Sequence, residues 1–173
     1  MKKILETERT ILRELSYADY EDLAEILRCP RTMYAYEHGF SHAEVRAWLE
    51  RQLERYAADG FGLWAVVDRL SGAFLGQCGL SIQEVDGVGE LEVGYLFNRR
   101  FWHRGYATEA ALACRDYAVR VLGRDRVVCT VRDTNLASRR VAERLGMRVE
   151  KRFIKHYYNM DMPHLLYVWR RSR

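Results

Sequence analysis

The chain has few of the residues that interrupt or staple a fold. In 173 residues there are two prolines, Pro30 and Pro163, and four cysteines, Cys29, Cys78, Cys114 and Cys129. With so little proline, and no repeat, low-complexity tract or linker, nothing marks a domain break, so a single domain over residues 1–173 is expected. The cysteines have no paired spacing, which removes the basis for a disulfide framework or a zinc site, and no metal is expected. Cys114 and Cys129 lie in apolar patterns and read as small buried hydrophobes. Nowhere do eighteen apolar residues run together, and residues 1–13 mix Lys, Glu, Thr and Arg. Neither a membrane span nor a secretory signal is expected, and the location expected is cytoplasmic.

A strong charge bias is also missing. The formal net charge of +4 suits a phosphate-bearing ligand, a nucleic acid or an acidic partner and does not choose among them. The pairs Arg99-Arg100, Arg139-Arg140 and Arg170-Arg171 come without zinc-finger spacing or an RNA-recognition aromatic motif, so they read as solvated surface and nucleic acid is not the expected partner.

What is present is an ordinary globular composition, 49% hydrophobic and 30% charged, with clear local signals. Ser16 with Asp19, followed by Leu23, Ile26 and Leu27, predicts a capped helix over about residues 17–28, ended by Cys29-Pro30. Ser41 with Glu44 predicts a second, carried by Val45, Trp48, Leu49, Leu53 and Tyr56 and stopped by Gly60. Strand patterns over 61–68, 74–82 and 90–97, separated by Ser71-Gly72 and Asp86-Gly87, predict a three-stranded meander. A long helix over 105–122, a strand over 126–131, a short helix from Asp133-Thr134-Asn135 through Leu145, and strands over 147–153 and 165–169 complete the pattern. The fold class expected is α/β or α+β.

The most informative stretch is Leu96-Phe97-Asn98-Arg99-Arg100-Phe101-Trp102-His103-Arg104-Gly105-Tyr106-Ala107-Thr108-Glu109-Ala110. It joins an alternating strand to a long helix through a basic loop containing one glycine. Gly105 has no Cβ, so its backbone can approach a bulky ligand oxygen, and the helix start adds unpaired N–H groups and a positive dipole end. The reading is a pyrophosphate cradle; the Walker-type and dinucleotide-type glycine patterns are both absent.

In order, the meander, the loop Trp102-His103-Arg104-Gly105-Tyr106-Ala107, and the segment Asn135-Leu136-Ala137-Ser138 with Arg144-Leu145-Gly146-Met147 resemble the GNAT superfamily of N-acetyltransferases. The aromatic Trp102 and the following Tyr-Ala-Thr-Glu-Ala are similar to its RimJ/RimL-like branch. The resemblance implies a mixed, mostly antiparallel central sheet with helices on both faces. It implies acetyl-CoA as cosubstrate, moved by direct attack to a primary amine, either a protein N-terminus or a small molecule. It further implies that amides from His103 through Thr108, including Arg104, Gly105, Tyr106 and Ala107, hold the pyrophosphate, with Arg104 adding charge. The backbone near Phe97 would bind the pantetheine arm and its amide would stabilise an oxyanion, Asn135 would bond the pantetheine amide, and Ser138 would sit near the thioester sulfur.

Ala142 stands where many members carry a proton-donating tyrosine, so Ser138 becomes the candidate donor to the departing thiolate. A lysine-type amine with a pKa of about 10.4 needs a base more than an α-amine near about 7.7–8.0. Period-two alternation puts Glu90 and Glu92 on one strand face and Leu91, Val93 and Tyr95 on the other. Glu92, nearer the loop and at a recurrent acidic position of the branch, is the candidate base.

Two segments are candidate acceptor walls: Tyr34, Tyr36, Glu37 and His38, and the stretch from Lys155 to His164, which reads either as a pocket wall with His156 or His164 as relay or as a polar loop. The alternative to catalysis is a non-catalytic acyl-CoA-binding sensor or partner-binding module, in keeping with Ala142. A monomer or homodimer is expected.

Overall fold

A computed structural model describes residues 1–172. Eight strands form one sheet in the order β1-β2-β3-β4-β5-β6-β8-β7. They are β1 (Lys3–Glu6), β2 (Thr10–Arg13), β3 (Leu63–Asp68), β4 (Phe74–Val85), β5 (Val88–Phe97), β6 (Arg126–Arg132), β7 (Arg148–Tyr157) and β8 (Met160–Arg170). Four helices join them: α1 (Tyr20–Leu27), α2 (His42–Ala58), α3 (Tyr106–Arg120) and α4 (Leu136–Arg144). Every neighbouring pair is antiparallel except β5 and β6, which are parallel and linked through α3.

Local chemistry explains the elements. The Ser41 amide donates to Glu44 Oε2 at 2.7 Å while the Glu44 amide donates to Ser41 Oγ at 3.2 Å, closing the start of α2 as a reciprocal cap. Asp86 and Gly87 turn β4 into β5 with φ of 48° and 79°, the left-handed pair that matches the twist of a tight hairpin. Ahead of α1, residues 17–19 form a 3₁₀ turn rather than the α-helix expected there, with the Ser16 amide donating to Asp19 Oδ2 at 2.8 Å.

The sheet is covered on both faces. On one, Ala110, Cys114 and Ala118 of α3 recur at helical spacing and, being small, seat the helix closely on Leu12, Trp64, Val66, Cys78, Leu80 and Val93. On the other, Leu23 and Leu27 of α1 with Val45 and Leu49 of α2 pack on Leu15 and Ala65. Trp64 and Val66 face one layer and Ala65 the other, as strand alternation requires.

The sequence reading is corrected at both ends. Residues 3–13, read only as a mixed polar start, form the hairpin β1–β2, in which Leu12 is fully buried; two four-residue strands are too short to show a period. Residues 155–164 are no loop but the tip of the β7–β8 hairpin, turned by Tyr158 and Asn159 at φ of 53° each. Among the described residues no helix is long and apolar enough to cross a membrane.

Candidate active site

The site begins where the sheet fails to close. β5 and β6 are in register at Glu92 and Val128. The Asn98 amide donates to the Leu75 carbonyl of β4 at 2.9 Å, whereas the carbonyl of Phe97 accepts from Trp102 Nε1 at 2.9 Å and that of Val93 from Cys129 Sγ at 3.2 Å. By strand alternation, Val93, Tyr95 and Phe97 therefore present their N–H and C=O groups away from β4, toward β6. Beyond Val128 the ladder does not continue. The Thr130 amide donates to Glu92 Oε2 at 3.0 Å, and the Thr130 hydroxyl bonds the same oxygen. The backbone amides of Tyr95 and Phe97 are left along an open strand edge, the geometry a linear amide-bearing ligand needs to add itself to a sheet.

At the far end of that edge lies the basic loop. Gly105 caps α3 at φ 79°, a conformation in which a side chain is strained. The Glu109 amide makes the first helical bond to the Gly105 carbonyl at 3.0 Å, so the N–H groups of Tyr106, Ala107 and Thr108 precede the helix's own acceptors and point out of its N-terminus. The one carboxylate in this turn is neutralised. Glu109 takes Arg9 Nε at 2.7 Å, the Arg9 amide at 2.9 Å and the Thr7 hydroxyl at 2.7 Å. Burial would raise its pKa, but these bonds outweigh burial and hold it below the usual glutamate range. Arg9 also bonds the Arg104 carbonyl at 2.9 Å and lies 4.4 Å over the Tyr106 ring. The β1–β2 turn, invisible in the sequence pattern, thus clamps the loop. His103 and Arg104 remain exposed.

A cavity of about 540 Å³ opens between the β4–β6 face, α2, the 34–36 turn and the β7–β8 tip. Glu92, Asn135 and Ser138 all line it. Burial pushes the Glu92 carboxyl above its ordinary pKa, opposed by the Thr130 hydroxyl and by the positive charge of Lys155. Ser138 sits in the first turn of α4, where its amide donates to Asn135 Oδ1 at 3.2 Å. Its hydroxyl donates to the Tyr95 hydroxyl at 3.1 Å, and Tyr95 in turn donates to the Ser138 carbonyl at 2.7 Å. Burial holds the Tyr95 phenol well above its usual pKa, so it stays protonated and is a donor at all ordinary pH. Asn135 Oδ1 also accepts from Tyr34, which leaves the amide nitrogen of Asn135 as its group for a ligand.

Other expected participants separate. Glu90 is held by Arg126 at 2.7 Å and lies outside the cavity. Glu37 is paired with Arg132, and His38 stacks on Tyr158 at 4.3 Å, with its Nε2 2.9 Å from Glu44. Tyr36 lines the cavity, edge-on to Phe40, Trp48 and Tyr157. Of the hairpin tip, Lys155, Tyr157 and His164 line the cavity, while His156 pairs with Asp161 in solvent. Burial pushes His164 below its ordinary pKa, favouring the neutral ring. Ala142, within α4, is fully buried and does not line this cavity.

Sequence reasoning missed Tyr95 as a functional residue because it placed Tyr95 correctly on the face opposite Glu92. The gap between β5 and β6 brings the two faces to one opening. It also passed over Arg51 and Arg55 of α2, whose spacing of four on the polar side of the helix was the available signal.

The profile of the family described as Acetyltransferase (GNAT) domain matches residues 9–148. A Bacillus subtilis (strain 168) protein, YkkB, described as uncharacterized, is 35% identical over 151 residues, covering 87% of this chain and 88% of that protein. The crystal structure of an acetyltransferase from Agrobacterium tumefaciens str. C58 superposes with a TM-score of 0.83 at 26% identity, over 99% of this chain and 95% of that one. RimL, a ribosomal L7/L12 α-N-protein acetyltransferase solved with coenzyme A, shares the fold at a TM-score of 0.77 and 15% identity, over 98% of each chain. The matched stretch takes in the open strand edge, the Gly105 loop and the Asn135–Ser138 turn, and on that match this chain belongs to the GNAT acetyltransferase family.

Proposed function

We propose that the protein moves an acetyl group from acetyl-CoA to a primary amine by direct attack within a ternary complex. The observation that carries this reading is the opening between β5 and β6, with Glu92 on one side of it, the Ser138–Tyr95 pair on the other, and the Gly105 cradle at its end. The residues present fit the cosubstrate. The amides of His103 to Thr108, with Arg104, meet a pyrophosphate. The Tyr95 and Phe97 edge meets the amide-bearing arm, and the Asn135 amide nitrogen bonds it from the α4 side.

Acetyl-CoA supplies an activated acyl carbon and a stable leaving thiolate. The amine must be neutral to attack, and Glu92, its pKa raised by burial, draws off the proton through water as the C–N bond forms. The Phe97 amide on the open edge stabilises the charge that develops on the carbonyl oxygen. As the C–S bond breaks, the Ser138 hydroxyl rotates its proton from Tyr95 to the thiolate, and solvent supplies the proton that leaves coenzyme A as its thiol. Tyr95 positions Ser138, whose hydroxyl fills the donor role that buried Ala142 cannot.

The test is calorimetric titration of acetyl-CoA into the protein and into Gly105→Glu, followed by an assay of coenzyme A release with amine acceptors. Saturable binding that the folded variant loses, with thiol release matched by acetylated amine in proportion to protein, supports the reading. Binding without release for any amine would favour the sensor module. No binding by the unaltered chain would overturn both.

A further inference from the structure

The acceptor end of the cavity holds more positive charge than its own carboxylates neutralise. Arg51 and Arg55, one turn apart on α2, and Lys155 on β7 all line it. The two carboxylates of the cavity are already engaged. Glu44 accepts the Ser41 amide at 2.7 Å and lies 2.9 Å from His38 Nε2, and Glu92 accepts from Thr130. Arg132, a fourth cation on the wall, is matched by Glu37. Among the described residues, by contrast, Arg51, Arg55 and Lys155 form no ion pair, and Arg55 bonds only the neutral Gln52 Oε1, at 3.3 Å.

Arg55 is also half-buried. Burial, and then the like charge of Arg51, push its guanidinium below the ordinary arginine pKa, offset only in part by the charges of Glu92 and Asp59, and an anion between the two arginines would relieve the remainder. Two guanidinium groups and an ammonium lining one cavity have the chemistry to hold an oxyanion, since arginine forks match carboxylate and phosphate oxygens. Tyr36, edge-on to Trp48 and Tyr157, lines the same cavity with them.

We infer that the acceptor is a small amine that also carries an oxyanion, a carboxylate or a phosphate, which Arg51, Arg55 and Lys155 hold while the nitrogen faces Glu92. The inference rests on the acetyl-transfer reading above and names its substrate class. The cavity of about 540 Å³ suits a small molecule.

The experiment compares matched acceptors at saturating acetyl-CoA: aspartate against asparagine amide, β-alanine against β-alaninamide, and aminoethyl phosphate against ethanolamine. A short peptide with a free amino terminus and an acidic second residue is run beside them. The anionic member of at least one pair is expected to show a kcat/KM roughly tenfold or more above its neutral partner. Which pair responds distinguishes carboxylate from phosphate. In Arg51→Gln, Arg55→Gln and Lys155→Gln that ratio is expected to fall toward one through a higher KM for the anionic member, with acetyl-CoA affinity retained.

Neutral amines turned over equally well, a ratio that the three substitutions do not change, or turnover of the peptide alone would overturn the inference. If no amine is turned over although acetyl-CoA binds, the acetyl-transfer reading fails separately. Calorimetric titration of the coenzyme A-saturated protein with the same pairs then decides the site. Binding of an anionic member lost in Arg55→Gln upholds it, and absence of binding overturns it.

Discussion

Glu92 and Thr130 meet at the point where β5 and β6 part: the Thr130 amide, whose ladder acceptor would be the Val93 carbonyl, donates instead to Glu92 Oε2 at 3.0 Å. The side chain of one strand takes the place of a backbone acceptor, so the ladder ends without leaving the half-buried Thr130 amide unpaired. The same carboxylate lines the cavity. Glu92 thus terminates the pairing that makes the opening, and stands at its edge as the group able to accept a proton.

Glu92→Gln keeps an amide oxygen for Thr130 but cannot act as a base. The expected result is a fall in kcat of roughly 10²–10⁴-fold with acetyl-CoA affinity retained. Burial raises the Glu92 pKa, and a base works only when deprotonated, so kcat/KM for the unaltered protein should rise with pH through a limb above the ordinary carboxylate range. That limb should vanish in the variant. A pH–rate profile of both checks this, and an unchanged profile in Glu92→Gln would remove Glu92 from the chemistry.

Ser138 and Tyr95 bond each other's oxygens, so they are expected to act as a unit. Ser138→Ala and Tyr95→Phe should each lower kcat by about tenfold, the worth of one hydrogen bond to a developing charge. The double variant should lose little more than either single one, because the second substitution removes a partner already idle. Multiplicative losses would show that the two hydroxyls act independently.

Stability has its own test in Arg13 and Asp19. The guanidinium meets the carboxylate with two bonds, 2.7 and 3.0 Å, and the Ser16 amide adds a third at 2.8 Å. The side chain of Asp19 is only 5% exposed. Burial alone would raise the Asp19 pKa, but Arg13 and Ser16 outweigh it and lower it below the usual value. A carboxylate whose folded pKa is depressed contributes stability that is present above its unfolded pKa and lost as pH falls through the folded one. Asp19→Asn should cost about 3 kcal/mol at neutral pH, since it leaves Arg13 without its counter-charge. The difference between variant and parent should shrink in acid, and denaturant unfolding at two pH values measures both.

Several features could be read directly from the chain because their causes lie within a few residues. The Ser41 and Glu44 cap of α2, the Asp86-Gly87 turn and the start of α3 at Gly105 are all local arrangements, and each formed where expected. Alternation in Glu90-Leu91-Glu92-Val93-Gly94-Tyr95 also sorted the two faces of β5 correctly. It could not choose between Glu90 and Glu92, since that choice depends on Arg126 and Thr130, more than thirty residues away. The hairpin β1–β2 escaped for a related reason: four-residue strands carry too little pattern, and what ties the hairpin to the sheet is the pairing of β2 with the distant β3.

The sequence by itself determined the helices, their caps, the meander and the glycine loop, since propensity, capping and turn geometry act over about one turn of chain. Only the tertiary structure decided where the sheet opens, which carboxylate borders the opening, and that Tyr95 reaches Ser138 across 43 positions. It also decided that Arg9 clamps the loop from 95 residues away and that Arg51, Arg55 and Lys155 share one cavity. These relations depend on strand register and on layers packed from both faces, and no local signal encodes the distance between residues that only the completed sheet brings together.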